Sequence, residues 1–163
     1  MLDDFNAAPA AELRGRLRTC CTAGAWIEAI LGGRPYSGET ALEKASDIAT
    51  ALLGAAGLDQ ALAGHPRIGE RPSSEWSRKE QSGMDGAGDE IKAAIAAANA
   101  AYERRFGRVY LVCAAGRGPG ELLALCQARL GNSPEIETRA ALAELAKINR
   151  LRLARLVRAE EAR

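Results

Sequence analysis

Histidine is almost missing: the 163 residues contain one, His65. With a single imidazole and no CxxC spacing, a zinc site of mixed histidine and cysteine ligands is excluded. Four cysteines, Cys20, Cys21, Cys113 and Cys126, stand at irregular intervals, which excludes a disulfide framework and suits reduced, mostly buried thiols. Aromatic residues make up 4% of the chain, and Lys plus Arg number 22 against 21 for Asp plus Glu. A net charge of +1 without interleaved aromatics argues against a nucleic-acid partner. No run of about 18 apolar residues exists, so no membrane association is expected, and MLDDFNAAPA lacks the basic and apolar regions of a signal peptide. A soluble, cytoplasmic protein is the expectation.

Runs of Val, Ile and Thr are also scarce, whereas Ala and Leu abound, which favours an all-α fold. The length suits one domain over residues 1–163, with the last few residues frayed. The pattern predicts a compact helical bundle of about seven to eight helices with one short extended segment. Pro9 opens a helix through Cys21, and a second covers about Ala23 to Leu31. Ser37 is a plausible cap for residues 39–53, where Leu42, Ala45, Ala49 and Leu52 recur at helical spacing. Gly54 and Gly57 interrupt the pattern, LDQALAG reads as a short turn, and Gly64 as a left-handed terminator. SEWSRKEQSG (74–83) is a short capped helix, and GDEIKAAIAAANAAYERRF a longer one that carries Ile91, Ile95, Ala98 and Tyr102 on one side and ends at Gly107. RVYLVCAAG suits a buried extended segment. Pro119–Gly120 and Ser133–Pro134 launch the last two helices.

Three polar features stand out. Ser77, Glu80 and Gln81 lie at i, i+3 and i+4, which forms either a solvated face or a polar wall of a site. Arg152 falls inside the stripe of Leu145, Ile148 and Leu156, so its guanidinium either snorkels or pairs with an internal carboxylate, or binds a ligand carboxylate in a bidentate way. Arg150 and Arg155 belong to neighbouring, solvated faces. His65 is either a structural hydrogen-bonder or a general acid–base, held in a loop by Pro66 and flanked by Gly64 and Gly69. A Ser-His-Asp hydrolase lacks its GxSxG elbow, and GRGPGE lacks the spacing of a phosphate loop.

DFNAAP, GHPRIGE, WSRKEQSG, AYERRFGRVYLVCAAGR, RLGNSPEIE and AKINRLRL together resemble one family, the 2-oxo-4-hydroxy-4-carboxy-5-ureidoimidazoline (OHCU) decarboxylases, in order and approximate spacing over most of the chain. The resemblance implies an all-helical, commonly dimeric fold that converts a ureidoimidazoline to (S)-allantoin in the last step of urate degradation, without metal or organic cofactor. It places catalytic roles on His65, Glu80 and Arg152, and substrate contacts on Pro66, Ser77, Gln81 and the segment Tyr110, Leu111, Val112, Cys113 and Ala114, the last through backbone groups. The small-molecule substrate and a second copy of the chain are the implied partners. Two departures stand out: Arg67 and Ile68 replace the acid and leucine of many members, and Arg105-Phe106-Gly107-Arg108 replaces Lys-Phe-Gly-Phe. The peroxisomal SKL ending of some members is absent. A non-catalytic helical binding module and a related lyase for another ureido compound are the alternatives.

Overall fold

A computed structural model describes residues 2–70 and 75–159, with only the backbone at 75–77 and 159. Among the described residues there are nine α-helices and no strand. They run α1 Leu2–Ala7, α2 Ala10–Cys20, α3 Gly24–Gly32, α4 Glu39–Ala51, α5 Gly54–Leu62, α6 Glu75–Glu80, α7 Asp89–Phe106, α8 Pro119–Arg129 and α9 Pro134–Ala159, with a 3₁₀ turn at Ser82–Met84 between α6 and α7. The chain divides into two compact units: Met1–Gly64 with Leu145–Arg163, and His65–Glu144. His65 is thus the first residue of the second unit.

In the first unit α3 packs against α2, α4 and α5. Phe5, Leu13, Leu17, Trp26, Ile30, Leu42, Leu58, Leu145 and Leu153 are almost wholly buried there, each contributing about 1.5–3 kcal/mol of transfer free energy. A polar seam crosses this core. Trp26 Nε1 donates to Ser46 Oγ at 3.1 Å, and Asn149 Nδ2 donates to Thr50 Oγ1 at 3.2 Å, tying α9 to α4.

The second unit centres on Ile68, Met84, Ile95, Ala98, Tyr102, Tyr110, Val112, Leu122 and Cys126, with α7 packed on α8. Ile95, Ala98 and Tyr102 are the stripe expected of α7, and its stop is a left-handed Gly107 at φ +68°. Residues 108–118 carry no helix, as their short apolar run suggested, and Ser133 Oγ accepts the Ile136 N–H at the start of α9.

Several boundaries differ from the sequence reading. Residues 54–62, read as an interruption and a turn, form α5, because Gly54 redirects the chain at φ +62° and the apolar face of Leu58, Ala61 and Leu62 is then buried. Leu2–Ala7 adds a helix before Pro9, which lies outside α2 as its N-cap. Gly38 rather than Ser37 precedes α4, with no side-chain cap. Gly64 is not left-handed; a Cβ there would meet Thr22 Cγ2 at 3.2 Å, so close packing favours its small size.

All four cysteines are buried and free. Burial pushes the Cys20 thiol up to about 12 and Cys126 up to about 11. Because the thiolate is the reactive form, the native protein is expected to react negligibly with DTNB at about pH 8, and to titrate four thiols once unfolded in guanidinium.

Candidate functional site

The six residues after Gly64 form a turn rather than a helix. Glu70 N–H returns to Arg67 O at 3.2 Å, with Gly69 at φ +85° in the third position. Only glycine takes that conformation readily, which accounts for the HPRIGE spelling at this point. His65 and Pro66 are half-buried at its entrance, and Ile68 is anchored in the core of the second unit.

Glu80 closes α6 and Gln81 begins the following turn, so the helical face expected to carry both ends at Glu80. Neither is solvated: they are 7% and 8% exposed, which rules out the reading of a surface face. Gln81 Oε1 accepts the Gly69 N–H at 3.1 Å and its Nε2 donates to Arg67 O at 3.4 Å. Its carboxamide therefore grips the His65 loop. The side chain of Ser77 lies outside the described residues.

The extended segment approaches the same region. A Cβ on Gly83 would fall 2.2 Å from Arg117 O, so this glycine permits the close passage of the 3₁₀ turn against the end of the segment. Burial chiefly, with the charges of Glu144 and Glu80 adding, raises the Cys113 thiol. Much of the segment's backbone is engaged: Leu111 O accepts Arg129 Nη1 at 2.7 Å, Cys113 N–H donates to Glu144 Oε2 at 2.8 Å, and Ala114 O accepts Arg117 N–H at 3.1 Å. Val112 has no backbone hydrogen bond among the described residues. The Tyr110 side chain is core: its ring lies 5.2 Å from Tyr102, and the Arg129 guanidinium sits 4.9 Å above it.

The second unit thus brings together the His65 loop, Glu80 with Gln81, and Tyr110–Ala114. Arg152 belongs to the first unit, where it is 4% exposed within the predicted stripe and donates Nη1 to Cys20 O at 3.1 Å. That carbonyl ends α2, where a cation is favoured by the helix dipole. Among the described residues no group of three or more His, Cys, Asp or Glu side chains could hold a metal ion, and no helix is long and apolar enough to cross a membrane.

A family model described as OHCU decarboxylase matches residues 6–154. The chain belongs to the OHCU decarboxylase family. It is 30% identical over 134 residues to the 2-oxo-4-hydroxy-4-carboxy-5-ureidoimidazoline decarboxylase of Amia calva, covering 77% of this chain and 75% of that one. It is 29% identical over 147 residues to the uric acid degradation bifunctional protein TTL of Arabidopsis thaliana, covering 85% of this chain but 45% of that protein, so it spans less than half the length of this relative. A crystal structure of OHCU decarboxylase in the presence of (S)-allantoin superposes with a TM-score of 0.74 at 27% identity, over 85% of this chain and 94% of that one. A crystal structure of (S)-allantoin synthase, at 18% identity and a TM-score of 0.74 over 96% of this chain and 54% of that one, shares the fold.

Against that OHCU decarboxylase pattern, the sequence reading missed the residues that support the site. Asn99 is 5% exposed and donates Nδ2 to Ile68 O at 2.9 Å. It falls between Ile95 and Tyr102 at helical spacing, and a carboxamide inside an apolar stripe was the signal available. Arg67, to which no role was assigned, forms a two-pronged pair with Glu103, the Nη2–Oε2 distance being 3.0 Å. Hydrogen bonding to Arg67, aided by its charge, holds the Glu103 carboxyl below its ordinary 4.5. A depressed carboxylate contributes stability that is complete above the unfolded value and fades as pH falls through the folded one. The difference in urea stability between wild type and Glu103→Gln is therefore expected to hold at neutral pH and to shrink below 4.5.

Proposed function

We propose that this chain, acting as one catalytic domain, decarboxylates 2-oxo-4-hydroxy-4-carboxy-5-ureidoimidazoline to (S)-allantoin without a cofactor, as the end of urate degradation. The observation that carries the reading is the joining of the His65 loop, the buried Glu80–Gln81 pair and the Tyr110–Ala114 segment in one compact unit of an OHCU decarboxylase-family chain.

The carbon that loses its carboxylate lies beside a ring C=N bond. When the C–C bond breaks, carbon dioxide leaves, the electron pair forms a double bond to the neighbouring ureido-bearing carbon and the C=N pair moves onto nitrogen. The nitrogen and that neighbouring carbon each then take a proton, the carbon on one face only, while the hydroxyl gives up its own to become the carbonyl. The substrate supplies its own electron sink, so the protein's task is orientation, charge stabilisation and directed proton delivery. In this reading His65 and Glu80 act on the hydroxyl and the departing carboxylate, with His65 donating or relaying the proton. Backbone groups of Val112 and its neighbours read the ureido edge, together with Ser77. Gln81 acts mainly through its grip on the loop.

Arg152 holds the anionic substrate. Lysine in its place keeps the charge but loses the planar fork, so Arg152→Lys is expected to raise KM by about tenfold, equivalent to about 1.4 kcal/mol of binding, with a smaller change in kcat. A cytoplasmic homodimer completes the proposal. Ile48 on α4 and Leu52 at its C-cap, 63% and 79% exposed, are the apolar candidates for its contact.

The deciding experiment supplies freshly generated substrate and follows circular dichroism. Because the substrate decays spontaneously to racemic allantoin, optical activity separates catalysis from decay. Optically active allantoin in proportion to enzyme is expected. A signal no different from the enzyme-free solution overturns the reading, and turnover only of another ureido compound would favour a related lyase.

A further inference from the structure

The His65 loop is held by side chains that do not belong to it. Asn99 Nδ2 takes Ile68 O at 2.9 Å, and Gln81 takes Gly69 N–H at 3.1 Å and Arg67 O at 3.4 Å. From within the loop, Arg67 reaches back to Glu103 with two parallel hydrogen bonds. Asn99 and Glu103 are one turn apart on α7, so a single helix face anchors two consecutive residues, Arg67 and Ile68, while Gln81 holds Gly69. Pro66 fixes its own φ, which leaves few soft torsions between this anchor and the imidazole.

Neither grip is explained by stability alone. Asn99 Oδ1 is buried and has no partner among the described residues, so the side chain carries a desolvation cost at one end while its Nδ2 holds Ile68 at the other. The Arg67 and Glu103 side chains are 44% and 27% exposed, and pairs so exposed add little to folding. What the guanidinium does add is direction, because a bidentate fork fixes angle as well as distance.

We propose that Asn99 and the Arg67–Glu103 pair are positioning residues that hold His65 in its reactive orientation, a role that rests on the reading of His65 given above. The loop reaches Asn99 through the Ile68 carbonyl and Glu103 through the Arg67 side chain. Loss of either lets the imidazole drift, and misplacement of a catalytic group by about 1 Å can cost about a hundredfold in rate.

The test compares Arg67→Ala, Glu103→Ala, the charge-reversed double variant Arg67→Glu/Glu103→Arg, Asn99→Ala and Asn99→Asp, with His65→Asn measured alongside. As His65 is the sole histidine, its imidazole C–H proton resonances report its surroundings without assignment. Each single variant is expected to lower kcat about 10- to 100-fold while KM changes less than about threefold. Melting temperatures of the Arg67 and Glu103 variants should stay within about 3 °C of wild type. The reversed pair should recover most of kcat and the wild-type His65 resonance, and Asn99→Asp, which cannot donate to Ile68 O, should match Asn99→Ala. If His65→Asn is inactive while the single variants keep kcat within about twofold of wild type, the positioning role is wrong and the catalytic reading stands. A reversed pair that recovers neither kcat nor the resonance also overturns it. If His65→Asn retains full activity, the catalytic reading fails first and the positioning role with it.

Discussion

His65→Asn is expected to lower kcat for optically active allantoin formation by about 10²–10⁴-fold, the range for removal of a general acid–base. That corresponds to about 3–5 kcal/mol of transition-state stabilisation. Asparagine retains a polar side chain of similar reach but cannot exchange a proton near neutrality. The loop should survive the change, since its backbone is held through Arg67 O, Ile68 O and Gly69 N–H, which the substitution leaves in place. Unchanged helical circular dichroism with lost turnover therefore separates chemistry from folding. Glu80→Ala is expected to lose a comparable factor. Both variants forming (S)-allantoin at the wild-type rate would remove these residues from the reaction.

Glu137→Ala is expected to destabilise the protein by about 3–5 kcal/mol, the cost of leaving a buried charge without its partner. Glu137 is 2% exposed. It accepts hydrogen bonds from Tyr102 Oη at 2.5 Å, Arg129 Nε at 2.9 Å and Asn132 Nδ2 at 2.9 Å, and Arg129 Nη2 also points at it. Arg129, enclosed by the Tyr102 and Tyr110 rings, would be stranded without the carboxylate. Urea unfolding measures the loss. Because replacing a whole buried pair costs less than breaking it, Arg129→Met/Glu137→Leu should be more stable than Glu137→Ala. Activity should fall in both variants that disturb Arg129, since this residue also holds Leu111 O in the extended segment. Recovery of stability without recovery of turnover is the expected signature.

The sequence and the structure agree where local rules are strong. The α7 stripe with its Gly107 stop, the Ser133 cap of α9 and the non-helical stretch between Phe106 and Pro119 needed only periodicity, capping and turn chemistry. α5 escaped because two glycines mask a helix that burial, rather than propensity, stabilises. Gly64 misled for a related reason: its small size answers a contact with Thr22, which lies far away in the sequence.

For the site, the chemistry-bearing residue types were visible in the chain: a lone imidazole before proline, a carboxylate and carboxamide side by side, and an arginine inside an apolar stripe. Their order and the flanking motifs were enough to place the chain in its family. Which groups remain available for a ligand was not visible. Gln81, Leu111 O and Cys113 N–H are each engaged by a partner distant in sequence, and Asn99, Glu103, Glu137 and Glu144 acquire their roles only when α7, α9 and the loops meet. A helical pattern specifies which face is buried, because periodicity is local. The acceptor that each buried donor finds is settled by packing, because the partners lie far apart along the chain.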